Sequence, residues 1–210
     1  MKKDYLISIL VLVITSLLIF IVTRTFFLDL ANNFPLITGF IKFFVLATIG
    51  DFIGLRIKKG NWDKPNYLLV KACIWGFIGI AIVLMFGIFT EGVQHLQAEN
   101  ILPFNGSVFA FALFTSIIMN LTFAPTMMTF HRLADTYLNL KILNKQTKFK
   151  DVVNEVEWNR FFSFIIFRTI PLFWIPAHTI TFLLPSEYRV VFAAILGIFL
   201  GLILGVFKNK

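Results

Sequence analysis

At 210 residues, with 58 % hydrophobic and only 14 % charged side chains, the chain carries more apolar surface than a soluble domain of this size can hide from water. Its formal charge of +8 is spread over the flanks of apolar stretches and forms no basic face interleaved with aromatics, which argues against nucleic acid as a partner. Cys73 is the only cysteine, so an intramolecular disulfide and a cysteine-based metal centre are both excluded.

Six apolar stretches are each near the about 20 residues needed to cross about 30 Å of hydrocarbon. The first, Tyr5–Thr23, follows Met1-Lys2-Lys3 as a secretory leader would. Its apolar run exceeds the about 7 to 15 residues of a leader's core, and no small-x-small cleavage site follows, so it reads as a retained span. An Arg- and Ser-rich presequence is missing as well, which points to a bacterial plasma (inner) membrane. The second stretch, Phe34–Leu55, ends before Gly60 and a turn-forming connector, Asn61–Asn66, that contains Pro65. The third, Tyr67–Thr90, is followed by Glu91–Ser107, which has Glu91 and Glu99 but no Lys or Arg. The fourth is Val108–Phe130.

The longest connector, His131–Arg160, comes next. Within it Phe149, Val152, Val153 and Val156 recur at helical spacing, opposite Lys150, Asp151, Glu155 and Glu157. This pattern fits a helix lying on the membrane surface with Trp158 at headgroup level, and equally a solvated helical linker. The fifth and sixth stretches are Phe161–Leu184 and Tyr188–Phe207. The predicted fold is therefore an all-α polytopic bundle of about six spans, forming a single integral membrane domain.

Of the 19 Lys and Arg residues, fourteen lie on one side of these spans: Lys2, Lys3, Arg56, Lys58, Lys59, Lys64, Arg132, Lys141, Lys145, Lys148, Lys150, Arg160, Lys208 and Lys210. Only Arg24 and Arg189 lie on the other. Basic flanks stay cytoplasmic during insertion, so this asymmetry predicts both termini inside and an even number of spans.

Charge inside the membrane costs about 2.5 to 3.5 kcal/mol on insertion scales, so each ionisable residue there needs a partner or a wet cavity. Five qualify: Lys42, Asp51, Lys71, Arg168 and His178. Lys71 is near enough to an inner end to snorkel. Lys42 and Asp51 are half a turn out of phase on one helix and cannot pair with each other. Asp51 and Arg168 lie about 7.5 and about 12 Å from their inner flanks, a difference an Arg side chain spans, which predicts a buried interhelical pair.

Pro171 and Pro176 remove backbone donors from the fifth span and should break or kink it, close to Trp174, His178, Thr179 and Thr181. Pro125 plays a similar part in the fourth, below Asn120 and Thr122. A kinked polar segment between apolar helices is where a pore or cavity is built. In the sixth span Gly197, Gly201 and Gly205 place three side-chain-free positions on one face, a packing surface for a span of the same chain or for the same helix of a second subunit. His131 and Asp135 lie one turn apart and read as an interfacial ion pair; two groups without a third do not make a metal site. No nucleophile motif, phosphate loop or paired-His motif is present, so neither enzyme nor cofactor is expected.

The stretch Trp174-Ile-Pro-Ala-His-Thr-Ile-Thr-Phe-Leu-Leu-Pro-Ser-Glu-Tyr-Arg-Val190 resembles the C-terminal signature of the Mpv17/PMP22 family, through Trp174, Pro176, Phe182, Pro185, Tyr188, Arg189 and Val190. His178 falls near that signature's Gln, Thr181 replaces its Asn, Leu184 its Val, and the Phe-to-Pro spacing is one residue shorter. Gly50-Asp51 looks like the family's Gly-Asp, and Phe123-Ala124-Pro125 like its Phe-Ala-Pro, with Met119 and Asn120 where Asp-Gln is usual. The resemblance implies a channel-like membrane protein without a settled substrate. Two functions follow as expectations. One is a pathway for small solutes lined by Asp51, Asn120, Arg168, His178 and Thr181; the other is a non-transporting scaffold or assembly protein. In both, the lipid bilayer is the first partner and a homo-oligomer the second.

Overall fold

The computed structural model describes residues 7–8, 11, 14–17, 20–21, 25–62, 66–143 and 147–207, with side-chain surroundings for all of these except 25–28, 58 and 200–207. Among the described residues every regular element is a helix and no strand occurs. In order they are α1 (Thr25–Asn33), α2 (Pro35–Lys59), α3 (Leu68–Ala98), α4 (Val108–Ile142), α5 (Phe149–Glu155), a turn at Trp158–Arg160, a π-helix at Phe161–Trp174, α6 (Ile175–Leu183) and α7 (Ser186–Phe207). Four helices are long and apolar enough to cross a membrane: Pro35–Ile57, Leu68–Ala98, Val108–Ile142 and Trp158–Leu183. Large apolar side chains such as Phe77, Ile88, Leu121, Phe167 and Leu172 stand exposed on them, as lipid-facing surfaces require. The chain is an integral membrane protein by this criterion. The expected first span, Tyr5–Thr23, lies largely outside the described residues.

Local chemistry sets the helix limits. Pro35 opens α2 at a position where its missing N–H costs nothing, and Gly60 closes it in the left-handed region (φ +80°), its N–H donating to Arg56 O at 2.9 Å. Ser107 caps α4 by accepting from Ala110 N–H at 3.2 Å. At about 1.5 Å per residue, α3 and α4, with 31 and 35 residues, run about 46 and 52 Å, well past the hydrocarbon. The fourth helix therefore does not end at Phe130; Thr136, Leu138 and Leu140 beyond it are buried. Only the remainder of the long connector leaves this helix. There α5 forms where the apolar repeat predicted it, burying Val152 while Phe149 is exposed, and Asp151 accepts from Lys148 N–H at 2.9 Å to cap it.

The fifth expected span is not broken at its prolines. The helix changes type there: i→i+5 bonding runs to the Ile175 N–H, which donates to Ile170 O, and Pro176 then sits in the first turn of α6, where no donor is required. Thr169 follows the wider winding, its hydroxyl donating to Phe164 O five residues back.

The chain divides into two compact units, Met1–Val83 with Ser186–Lys210, and Leu84–Pro185. In the first, α2 packs along α7, and the two come close at Gly50: a Cβ there would meet Ile198 at 3.2 to 3.4 Å. Among the described residues Gly197, expected to face a partner helix, has nothing within 4 Å of such a Cβ, and Gly201 and Gly205 fall where side-chain surroundings are not described. Three glycines outside the expected packing set bring α2 against the first half of α3. A Cβ on Gly79 would lie 2.5 Å from Gly39 O, one on Gly39 2.5 Å from Val83 Cγ2, and one on Gly76 2.5 Å from the Phe40 ring. In the second unit α4 packs on α6, and α5 on α4.

Candidate functional site

Hydroxyls in these helices are mostly satisfied at home. Thr38, Thr48, Thr90, Thr115, Thr122, Thr129, Thr136, Thr179 and Thr181 each donate to the carbonyl four residues back, so lipid-depth hydroxyls cost little and join nothing. Asn120 and Ser116 behave differently. They lie on α4, both with 0 % exposure, and reach across to α6.

The Ser116 hydroxyl donates to Ile175 O at 2.7 Å. Asn120 Nδ2 donates to Ser116 O at 2.8 Å and to Ser116 Oγ at 3.3 Å, and Asn120 Oδ1 meets His178 Nδ1 at 3.1 Å. The direction of this chain is fixed by elimination. A backbone carbonyl can only accept, so the Asn120 amide must turn its nitrogen to Ser116 O and its oxygen to the ring. An amide oxygen only accepts, so His178 Nδ1 carries the proton and the neutral ring keeps its lone pair on Nε2. Among the described residues Nε2 has no hydrogen-bond partner.

Aromatic rings wall the imidazole. Trp174, one turn earlier, stacks on it with centroids 5.2 Å apart, Phe86 stands edge-on at 6.0 Å, and buried Phe182 lies 4.9 Å from Phe86. The Trp174 indole N–H is buried with no acceptor among the described residues, a state that costs about 1 to 3 kcal/mol unless something else satisfies it.

Of the residues singled out from sequence, the structure brings together Asn120, His178 and Trp174, with Phe182 behind them. Thr181 is on the same helix and fully buried, yet its hydroxyl turns to its own Ala177 O at 2.9 Å. Asp51 belongs to the other unit, where Trp75 Nε1 donates to its Oδ2 at 2.8 Å. Arg168, in the second unit, is exposed, with no ion pair among the described residues. Lys42 is buried in α2. His131 and Asp135 approach to 3.9 Å, and no group of three metal-ligating side chains occurs among the described residues. Phe123 and Pro125 continue α4 above the site, Pro185 separates α6 from α7, and Tyr188 and Arg189 lie in the first turns of α7.

Sequence reasoning missed Ser116, Trp75, Phe86 and the Gly39–Gly76–Gly79 contact. The signal for Ser116 was its position one turn before Asn120 on an apolar helix, which places both polar groups on one face. No family model, curated protein or solved structure matches the chain.

Proposed function

We propose that this protein passes small solutes across a membrane, as a bacterial inner-membrane relative of the Mpv17/PMP22 type with six spans and both termini cytoplasmic, and that the Ser116–Asn120–His178 seam lies on the path. The observation that carries this reading is Asn120: a fully buried carboxamide in an uncharged apolar span, bonded across to a histidine whose second nitrogen stays available. Buried polar groups at membrane depth face a bundle interior or a wet cavity, and they recur where substrates move. The test is efflux from liposomes loaded with small uncharged solutes or ions, comparing the wild type with Asn120→Leu. Protein-dependent efflux altered by the substitution, with folding retained, is the expected result. Absence of efflux at every voltage and pH tried refutes it.

The scaffold reading is favoured by a separate observation, the glycine contact between α2 and α3, where helix backbones approach without intervening side chains. It predicts that substitutions at Asn120 and His178 change neither flux nor assembly, whereas Gly79→Leu abolishes assembly.

A further inference from the structure

The hydrogen-bond chain ends at His178, and the ring stacked on it belongs to Trp174. Among the described residues Trp174 Nε1 is a buried donor without an acceptor, and His178 Nε2, held as a lone pair by the Asn120 contact on Nδ1, is an acceptor without a donor. The two rings stack at 5.2 Å with planes 21° apart, one helical turn from each other. Rings stacked this closely keep the two nitrogens near enough for one small molecule with several polar groups, accepting at one and donating at the other, to span them. A hydroxyl oxygen does both, and neighbouring hydroxyls on one carbon chain do so with tolerance for spacing.

Charge narrows the class further. Val108–Phe130 contains no Asp, Glu, Lys or Arg, and Phe161–Leu184 contains only Arg168, which is exposed. A carboxylate bound here would bring a negative charge into an apolar setting with no cation beside it in these two spans, and an ammonium would find no anion in them. The walls, Trp174, Phe86 and Phe182, suit the C–H faces of a carbon skeleton.

We propose that Trp174 and His178, oriented by Asn120, form a binding site for a small uncharged polyol, which accepts from Trp174 Nε1–H and donates to His178 Nε2. This deepens the solute-passage reading and rests on it, naming the class of solute.

The test uses the full ¹⁵N-labelled chain in lipid nanodiscs, titrated with glycerol and in parallel with sodium acetate and tetramethylammonium chloride. The Trp174 indole N–H resonance, identified by its loss in Trp174→Phe, is followed together with the ring nitrogens of His178. The expected result is a saturable glycerol shift at both residues, no comparable shift with either salt, and binding about tenfold weaker in His178→Phe, the loss of one good hydrogen bond to a ligand. A response that never saturates, an equal response to acetate, or silence at Trp174 overturns the site. If His178→Phe does not fold, the wild-type titration against the two salts decides alone. Glycerol efflux from liposomes separates the two readings: efflux with Trp174 silent leaves passage standing and removes this site, while saturable binding without efflux of any solute keeps the site and removes passage.

Discussion

Replacing Asn120 by Leu tests the seam with little change of volume, so the effect is chemical and leaves no cavity to account for. Three contacts are lost: the bond to Ser116 O at 2.8 Å, the longer one to Ser116 Oγ, and the acceptance from His178 Nδ1 at 3.1 Å. Two of these lie within one helix, one turn apart, where Ser116 O keeps its ordinary backbone role. The interhelical bond is the main loss, and such bonds in membranes average about 0.6 kcal/mol with a maximum near 1.7. Leaving His178 Nδ1–H unmatched adds a fraction of the about 1 to 3 kcal/mol of an orphaned donor, reduced because the ring is half-buried and can move its proton to Nε2. The expected loss is about 1 kcal/mol, roughly a fivefold change in the unfolding equilibrium. Reversible unfolding in mixed micelles reads the energy, and ¹⁵N spectra read the tautomer, an uncrowded measurement with only three histidines in the chain. Wild-type His178 should be protonated on Nδ1, and Asn120→Leu should release that preference. A wild-type ring protonated on Nε2 alone would refute the directional chain, however large the stability effect.

Ser116→Ala removes a bond to Ile175 O on α6, whereas Thr115→Val, next to it and equally buried, removes only a bond to Phe111 O on its own helix. The first should cost about 0.6 to 1.7 kcal/mol and the second less than about 0.5, a contrast measurable in the same unfolding assay. Gly79→Ala places a Cβ 2.5 Å from Gly39 O and should destabilise by about 1 to 3 kcal/mol, while Gly87→Ala on the same helix meets nothing within 4 Å and should be neutral or stabilising by up to about 1 kcal/mol; thermal inactivation of both checks the opposite signs. Phe104 has φ +62° and is 71 % exposed, so Phe104→Gly should relieve about 1 kcal/mol of left-handed strain while losing little packing, visible as a raised midpoint in detergent.

Hydropathy made four spans legible because lipid acts on composition, and composition is read directly from the chain. It bounded the apolar part of the fourth helix and not the helix itself, because hydropathy falls after Phe130 while the backbone stays helical: His131 to Ile142 keeps Leu133, Leu138 and Leu140 with Arg132, Ala134 and Lys141, all good helix formers. The π-helix left no trace in sequence, since no residue pattern encodes i→i+5 bonding and prolines signal only that a donor is missing. The glycine contact was equally hidden. Gly76 and Gly79 are three apart, but what makes them close-packing positions is Gly39 and Phe40 on another helix, and no periodicity within one helix records its neighbour.

The candidate site shows the same division between what a residue is and whom it meets. Asn120 and His178 stood out from the sequence because polar groups in apolar spans are costly, which says that each needs a partner without saying which. The partner follows only from geometry across 58 residues of chain. What distinguishes this set from the other polar residues is the route not taken. A serine on a helix can donate to the carbonyl one turn back, as ten threonines among the described residues do. Ser116 donates to another helix instead, its oxygen accepts from Asn120, and Asn120 in turn fixes the proton on His178. Each link restricts the next, so the lone pair on Nε2 is set by the Ser116 carbonyl, which lies on α4 and not on the helix that carries the histidine. The Ser116–Ile175 and Asn120–His178 bonds both hold α4 against α6. What packing leaves without a reason is the far side of the aromatic-walled imidazole, where Nε2 has no partner among the described residues, and it is the part on which the solute reading rests.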